Sequence, residues 1–125
     1  MSLSERQAIF SLNVAKLIVF INEKGFKCTL GEAFRTFEQA KLYAEQGKGS
    51  ANSLHCSRLA VDLHIFSKYG KYLEEFKDYE EFGVYWEKLH PDNKWGGRFP
   101  KLVDCVHFEM KKNSFGSNKF NGSIR

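Results

Sequence analysis

The sequence predicts a single α+β domain in which helices pack around one small, mostly antiparallel sheet. Length and composition come first: 125 residues, 42% hydrophobic and 15% aromatic, make one domain with an adequate core and no need of disulfide staples. Segments with helix start and stop signals form the second observation, and segments with strand-like alternation the third. The two kinds interleave along the chain.

Ser4-Glu5-Arg6-Gln7 reads as a capping box opening a helix to about Glu23, ended by Gly25. Ile9, Phe10, Leu12, Val14, Leu17, Ile18, Val19, Phe20 and Ile21 cover most of its circumference, so it is expected to be largely buried. Phe26 to Phe34 reads as a strand. Thr36 to Gln39 is a second capping box, for a helix to about Glu45 that Gly47 and Gly49 end. A Gly-, Ser- and Asn-rich loop over residues 46–54 then delivers His55. Ala60 to Phe66 alternates as a strand with Asp62 and His64 on one face. After a turn at Tyr69-Gly70, Asp78 is expected to cap a helix from about Tyr79 to Leu89, stopped by Pro91. Asp92 to Pro100 reads as a loop holding Trp95-Gly96-Gly97. Val106 to Met110 reads as the last strand, with His107 and Glu109 on one face.

The net charge of +4 is unevenly placed. Residues 111–125 carry Lys111, Lys112, Lys119 and Arg125 and no acid, while residues 1–110 hold equal numbers of basic and acidic side chains. The expected division is a domain over residues 1–112 and a basic, Gly/Ser/Asn-rich tail over 113–125. Such a tail either touches an anionic polymer or membrane surface or simply aids solubility. Cys28, Cys56 and Cys105 form no disulfide framework and suit a reducing compartment. The apolar run near residues 14–21 is broken by Lys16 and too short to span a bilayer. No signal peptide, phosphate loop, dinucleotide fingerprint or nucleic-acid module is evident, so no nucleic-acid partner is expected.

Chemistry concentrates in two stretches, Ser53 to Asp62 and Asp104 to Glu109. His55, Asp62 and His107 offer two imidazoles and a carboxylate, a ligand set for catalytic zinc that leaves a position open for water. The rival reading pairs Asp62 with Arg58 and leaves both histidines as ordinary, partly buried side chains. His64 is an alternative ligand, and Cys56 and Cys105 are near enough to be considered, although neither belongs to a Cys-x-x-Cys pair. Asp104, three residues before His107, suits a general base, or simply a turn hydrogen bond. Arg35 suits oxyanion stabilisation, or a salt bridge to Glu32 or Glu38. Ser53 either contacts substrate or orients its loop. Trp95 either walls the cleft or belongs to the core. Glu109 suits an acceptor for an imidazole N–H.

These residues in this order resemble a known family. Ser53-Leu54-His55 with Arg58-Leu59-Ala60-Val61-Asp62, then Asp104-x-x-His107-Phe108-Glu109, look like the VanY-like zinc D-alanyl-D-alanine carboxypeptidases and the phage L-alanyl-D-glutamate endopeptidases, which share a fold with the Hedgehog signalling domain. Leu30 to Thr36, followed by Glu38-Gln39-Ala40, resembles the family's Tyr-Arg-Thr/Ser element. Trp95-Gly96-Gly97 fits the phage-borne members. The resemblance spans roughly residues 26–110. It implies Zn2+ held by His55, Asp62 and His107, Asp104 as catalytic acid, Arg35 on the scissile carbonyl and Ser53 near the substrate; His64 has no part in it. Phe34 replaces the usual Tyr, and Asp104 replaces the Glu of many carboxypeptidases, which places it closer to the endopeptidase branch.

The resulting expectation is a zinc metallopeptidase acting on a peptidoglycan stem peptide, as a phage or prophage L-alanyl-D-glutamate endopeptidase (endolysin). A D-alanyl-D-alanine carboxypeptidase and a non-catalytic, zinc-binding wall-binding module are the alternatives. The protein is expected to be a monomer made in the cytoplasm and to reach the wall after the membrane is permeabilised.

Overall fold

A computed structural model describes residues 1–113, so the expected tail from residue 114 onward lies outside the described residues. Helix α1 (Leu3–Glu23) leads to strand β1 (Lys27–Leu30), helix α2 (Phe37–Glu45), strand β2 (Ala60–Phe66), helix α3 (Phe76–Leu89), strand β3 (Asn93–Trp95) and strand β4 (His107–Met110). Short 3-10 turns occupy Leu54–Ser57 and Gly96–Arg98. The sheet order is β1-β2-β4-β3, and every pairing is antiparallel. The expected α+β architecture is what forms.

The strand alternation gives the sheet two unlike faces. Val61, Leu63 and Ile65 of β2 and Phe108 and Met110 of β4 are buried in one core with Trp86, Tyr79, Phe82, Leu17 and Ile21 of the helices. Each such side chain contributes about 1.5–3 kcal/mol by leaving water. Asp62, His107 and Glu109 take the alternate positions and so leave the core for the opposite face. Tyr79 fixes α3 to the sheet, donating to Leu73 O (2.9 Å) and accepting from Ile65 N (3.0 Å). Arg6 pairs with Asp92 and donates to Lys111 O, fixing the start of α1 to the chain beyond β4.

Several elements differ from expectation. The cap of α1 is Ser2, not Ser4: its hydroxyl accepts from Glu5 N (3.1 Å) while Glu5 reaches back to Ser2 N (2.7 Å). Gln7 is drawn away to Ser57 O (2.8 Å). The helix is buried along one stripe only, at Arg6, Phe10, Asn13, Leu17 and Ile21, with Leu12 57% and Val19 55% exposed. It packs on α3 and β1, and Leu12 and Val19 mark its exposed outer side.

Strand β1 stops at Leu30 because Gly31 and Glu32 together oppose Asp62. Gly31 N donates to Asp62 O (2.8 Å) and Asp62 N to Glu32 O (3.0 Å), the two-against-one arrangement of a β-bulge. A Cβ on Gly31 would lie 2.7 Å from His64 Nε2 and 3.0 Å from Asp62 Cβ, so a larger residue here would have to displace the His64 ring and crowd Asp62. Helix α3 begins at Phe76, whose ring packs on Trp95 (5.0 Å between centroids), and Asp78 falls inside its first turn. The expected loop from Asp92 contains β3, a three-residue strand recognisable only through its partner β4.

Candidate metal centre

Antiparallel register sets Asp62 of β2 directly opposite His107 of β4. Cross-strand partners on one face bring their Cβ atoms to about 5 Å, which is ligand-to-ligand range. His55 arrives from the other side on the 3-10 turn Leu54–Ser57. Ser53 caps that turn, its Oγ accepting from His55 N (3.1 Å). Arg58 then turns the chain into β2 in a left-handed conformation (φ 55°), its guanidinium over the Phe34 ring at 4.0 Å. The expected alternative pairing of Asp62 with Arg58 does not form among the described residues.

The three side chains offer one donor atom each, all within 4.8 Å of one another. Asp62 Oδ1 lies 3.5 Å from His55 Nε2 and 3.4 Å from His107 Nδ1. It is buried and has no hydrogen-bond partner. An orphaned buried carboxylate oxygen is costly unless something else satisfies it. Ligands about 2.0–2.1 Å from a tetrahedral zinc stand about 3.4 Å apart along an edge. Both edges from Asp62 match that spacing, so the residues fit a divalent transition metal.

His107 is oriented from behind. Its Nε2 meets Glu109 Oε1 at 2.7 Å, which directs Nδ1 toward Asp62. His55 Nδ1 is buried without a partner. Burial works against charge on His107, but Asp62 and Glu109 outweigh it and lift its pKa to about 9. Burial also works to raise the Asp62 carboxyl, yet the two imidazoles hold it far below the ordinary carboxylate range. The Asp104 carboxyl is raised, chiefly by burial. Its backbone is fixed by Asp104 N to Gly96 O (3.0 Å) and His107 N to Asp104 O (3.1 Å). A Cβ on Gly96 would meet Asp104 O at 2.3 Å, so the Gly96 position is what lets this turn close on His107.

These groups line one cleft of about 680 Å³. Arg35, Ser53 and Asp104 border it with the three candidate ligands, and Lys48, Gly49, Lys94, Phe99 and Leu102 complete much of its wall. No sequence motif marks this latter group; only the Gly/Ser/Asn-rich composition of residues 46–54 hints at part of it. Arg35 does make the salt bridge to Glu32, yet it remains in the cleft wall.

Trp95 is corrected: it is fully buried beneath α3 and does not line the cleft. Its Nε1 donates to Cys105 O (2.8 Å), and a Cβ on Gly83 would come within 2.2 Å of its ring. His64 shares the Asp62 face of β2 but stands outside the cluster, its Nδ1 hydrogen-bonded with Tyr72 Oη (3.0 Å). Cys56 and Cys105 are free thiols outside the ligand cluster.

No protein of curated function matches the sequence. Among solved structures, the L-Ala D-Glu endopeptidase ChiX of Serratia marcescens shares the fold, with a TM-score of 0.58 and 21% identity over 68% of this chain and 67% of that one. A family model described as D-alanyl-D-alanine carboxypeptidase matches residues 46–110. That span is more than half of the chain and contains His55, Asp62, Asp104 and His107, though not Arg35. The matched span thus coincides with the segments that build the cluster, and the chain belongs to the D-alanyl-D-alanine carboxypeptidase family of metallopeptidases.

Proposed function

We propose that the chain is a zinc-dependent peptidase that hydrolyses a bond in a peptidoglycan stem peptide, with the L-alanyl-D-glutamate bond as the favoured target. The observation that carries this reading is Asp62 Oδ1, buried and unpartnered between two imidazole nitrogens at 3.5 and 3.4 Å, in the cleft that Asp104 and Arg35 share. His55 Nε2, Asp62 Oδ1 and His107 Nδ1 would hold the ion. Zinc there supplies positive charge that acidifies water and polarises a carbonyl.

The remaining work falls to this chain's side chains. Asp104 accepts a proton from the attacking water and returns it to the departing amine. Its raised pKa suits both halves of that exchange. Arg35 donates to the carbonyl oxygen as negative charge develops. Glu109 fixes the ring of His107, and Ser53 fixes the turn bearing His55. Preference for the endopeptidase rests on Asp104 in place of Glu and on the fold shared with ChiX. The family description supports the second reading, removal of a terminal D-alanine. A role in phage lysis rests on the resemblance of Trp95-Gly96-Gly97 alone.

Metal analysis and mass spectrometry of digested peptidoglycan test the proposal. One zinc per chain, with new D-Glu N-termini that vanish in Asp104→Ala, is the expected result. With zinc retained, that variant should lose about 10²- to 10⁴-fold in rate. Release of terminal D-Ala alone would move the chain to the carboxypeptidases. Bound zinc with no product from several wall chemotypes would make it a binding module, and absence of bound metal would remove the whole reading.

A further inference from the structure

We infer that Glu32 is a positioning residue that holds the Arg35 guanidinium at the cleft, with its free N–H edge turned toward the substrate. This rests on the function proposed above. Glu32 takes one edge of the guanidinium: Arg35 Nε donates to Oε1 (3.0 Å) and Oε2 (3.1 Å), and Nη2 also donates to Oε1. Arg carries five N–H donors, so the Nη1 pair remains free of Glu32. Nη1 lies 3.6 Å from the point a Cβ on Gly49 would occupy, beside the loop that walls the cleft. The Tyr43 ring lies against the guanidinium at 4.9 Å.

The clamp is built into the ligand scaffold. Gly31 and Glu32 exchange backbone hydrogen bonds with Asp62, and Arg35 N donates to His55 O (3.2 Å). The segment from 31 to 35 therefore spans two candidate ligands. The side chains are 13% (Arg35) and 27% (Glu32) exposed, unlike a solvated surface pair whose geometry fluctuates. Glu32 Oε1 also lies 3.8 Å from His55 Nε2. One carboxylate oxygen thus contacts the guanidinium and adjoins the candidate cluster, where it would offset repulsion between Arg35 and a cation held there. Neither Glu32 nor Arg35 falls in the family-matched span, so the clamp is a reading of this chain's own geometry.

The test is a double-mutant cycle on the zinc-loaded protein with Glu32→Gln, Glu32→Asp and Arg35→Ala. Glu32→Gln should lower kcat/KM about 10- to 100-fold, mostly in kcat, as expected when a catalytic donor is slightly misplaced. Metal content and Tm should be unchanged, Glu32→Asp should recover part of the rate, and Glu32→Gln should cost nothing further in Arg35→Ala. A readout independent of turnover is the NMR signal of the Arg35 Nε–H, expected to be exchange-protected in the wild type and lost in Glu32→Gln. Additive losses from Glu32→Gln and Arg35→Ala would overturn the inference. So would loss of zinc from Glu32→Gln with the Arg35 signal intact, which would make Glu32 a ligand. If the wild type cleaves no stem peptide, the proposed function fails on its own, and the Arg35 signal still decides whether the clamp exists.

Discussion

Replacing Glu109 with Gln should weaken metal binding by an amount that grows with pH. Glu109 acts on His107 in two opposed ways. Through the 2.7 Å bond to Nε2 it holds the ring with Nδ1 toward Asp62, and loss of such an outer partner typically costs 10–100-fold in metal affinity. The same carboxylate helps raise the His107 pKa to about 9, so a proton competes with the ion at neutral pH. At pH 7 that competition is about two pH units, roughly 100-fold or ~2.7 kcal/mol. Glu109→Gln removes part of the competition along with the orientation. The deficit should therefore be full near pH 9 and should shrink toward neutrality. In the wild type, apparent affinity should rise about tenfold per pH unit between pH 7 and 9 as one proton is released. Titration against a competing chelator from pH 6.5 to 9.5 measures both. A deficit that is constant across this range, or larger at low pH, would refute the assignment of Nδ1 as the metal-facing atom and Nε2 as the anchored one.

Two further outcomes concern stability. Gly83→Ala would place a Cβ 2.2 Å from the Trp95 ring, far inside van der Waals contact, and should destabilise the fold by at least the roughly 1–3 kcal/mol of an overpacked core, read as a lowered Tm. In the metal-free protein, His107 has a folded pKa raised above its ordinary 6.5, so its contribution is fully present below pH 6.5 and lost as pH rises through about 9. Asp62 has the opposite sign: its depressed pKa contributes above the ordinary carboxylate value and is lost in acid. Urea unfolding of metal-free protein should accordingly show stability declining between pH 6.5 and 9, and His107→Gln should flatten that decline.

The segments with strong local signals were legible. Thr36 caps α2 through Gln39 N (3.1 Å), as its capping-box pattern indicates, and β2 occupies Ala60–Phe66, where alternation is clean. Signals failed where two local solutions compete or where a partner decides. Ser2 and Ser4 are both competent caps, and Glu5 and Gln7 chose between them through a contact with Ser57 fifty residues away. Apolar residues over most of the α1 circumference suggested a largely buried helix, but a helix is buried only where something packs on it, and Leu12 and Val19 face outward. Trp95, followed by Gly96 and Gly97, was open to two readings. The glycines serve close approach: Gly83 and Gly97 admit the indole ring, and Gly96 admits the Asp104 turn.

By itself the sequence determined the residue types of the site, the alternation that puts Asp62 on one face of β2, and the face shared by His107 and Glu109. Those follow from local periodicity, which the chain carries without help from distant contacts. Tertiary structure alone decided that Asp62 and His107 stand opposite one another, since register between β2 and β4 is a property of two strands separated by forty residues. It also decided that His55 joins them from a 3-10 turn, that His64 does not, and that Arg35 is both salt-bridged to Glu32 and present in the cleft. A ligand set is a statement about distances in space, and spacing along the chain fixes those distances only within an element.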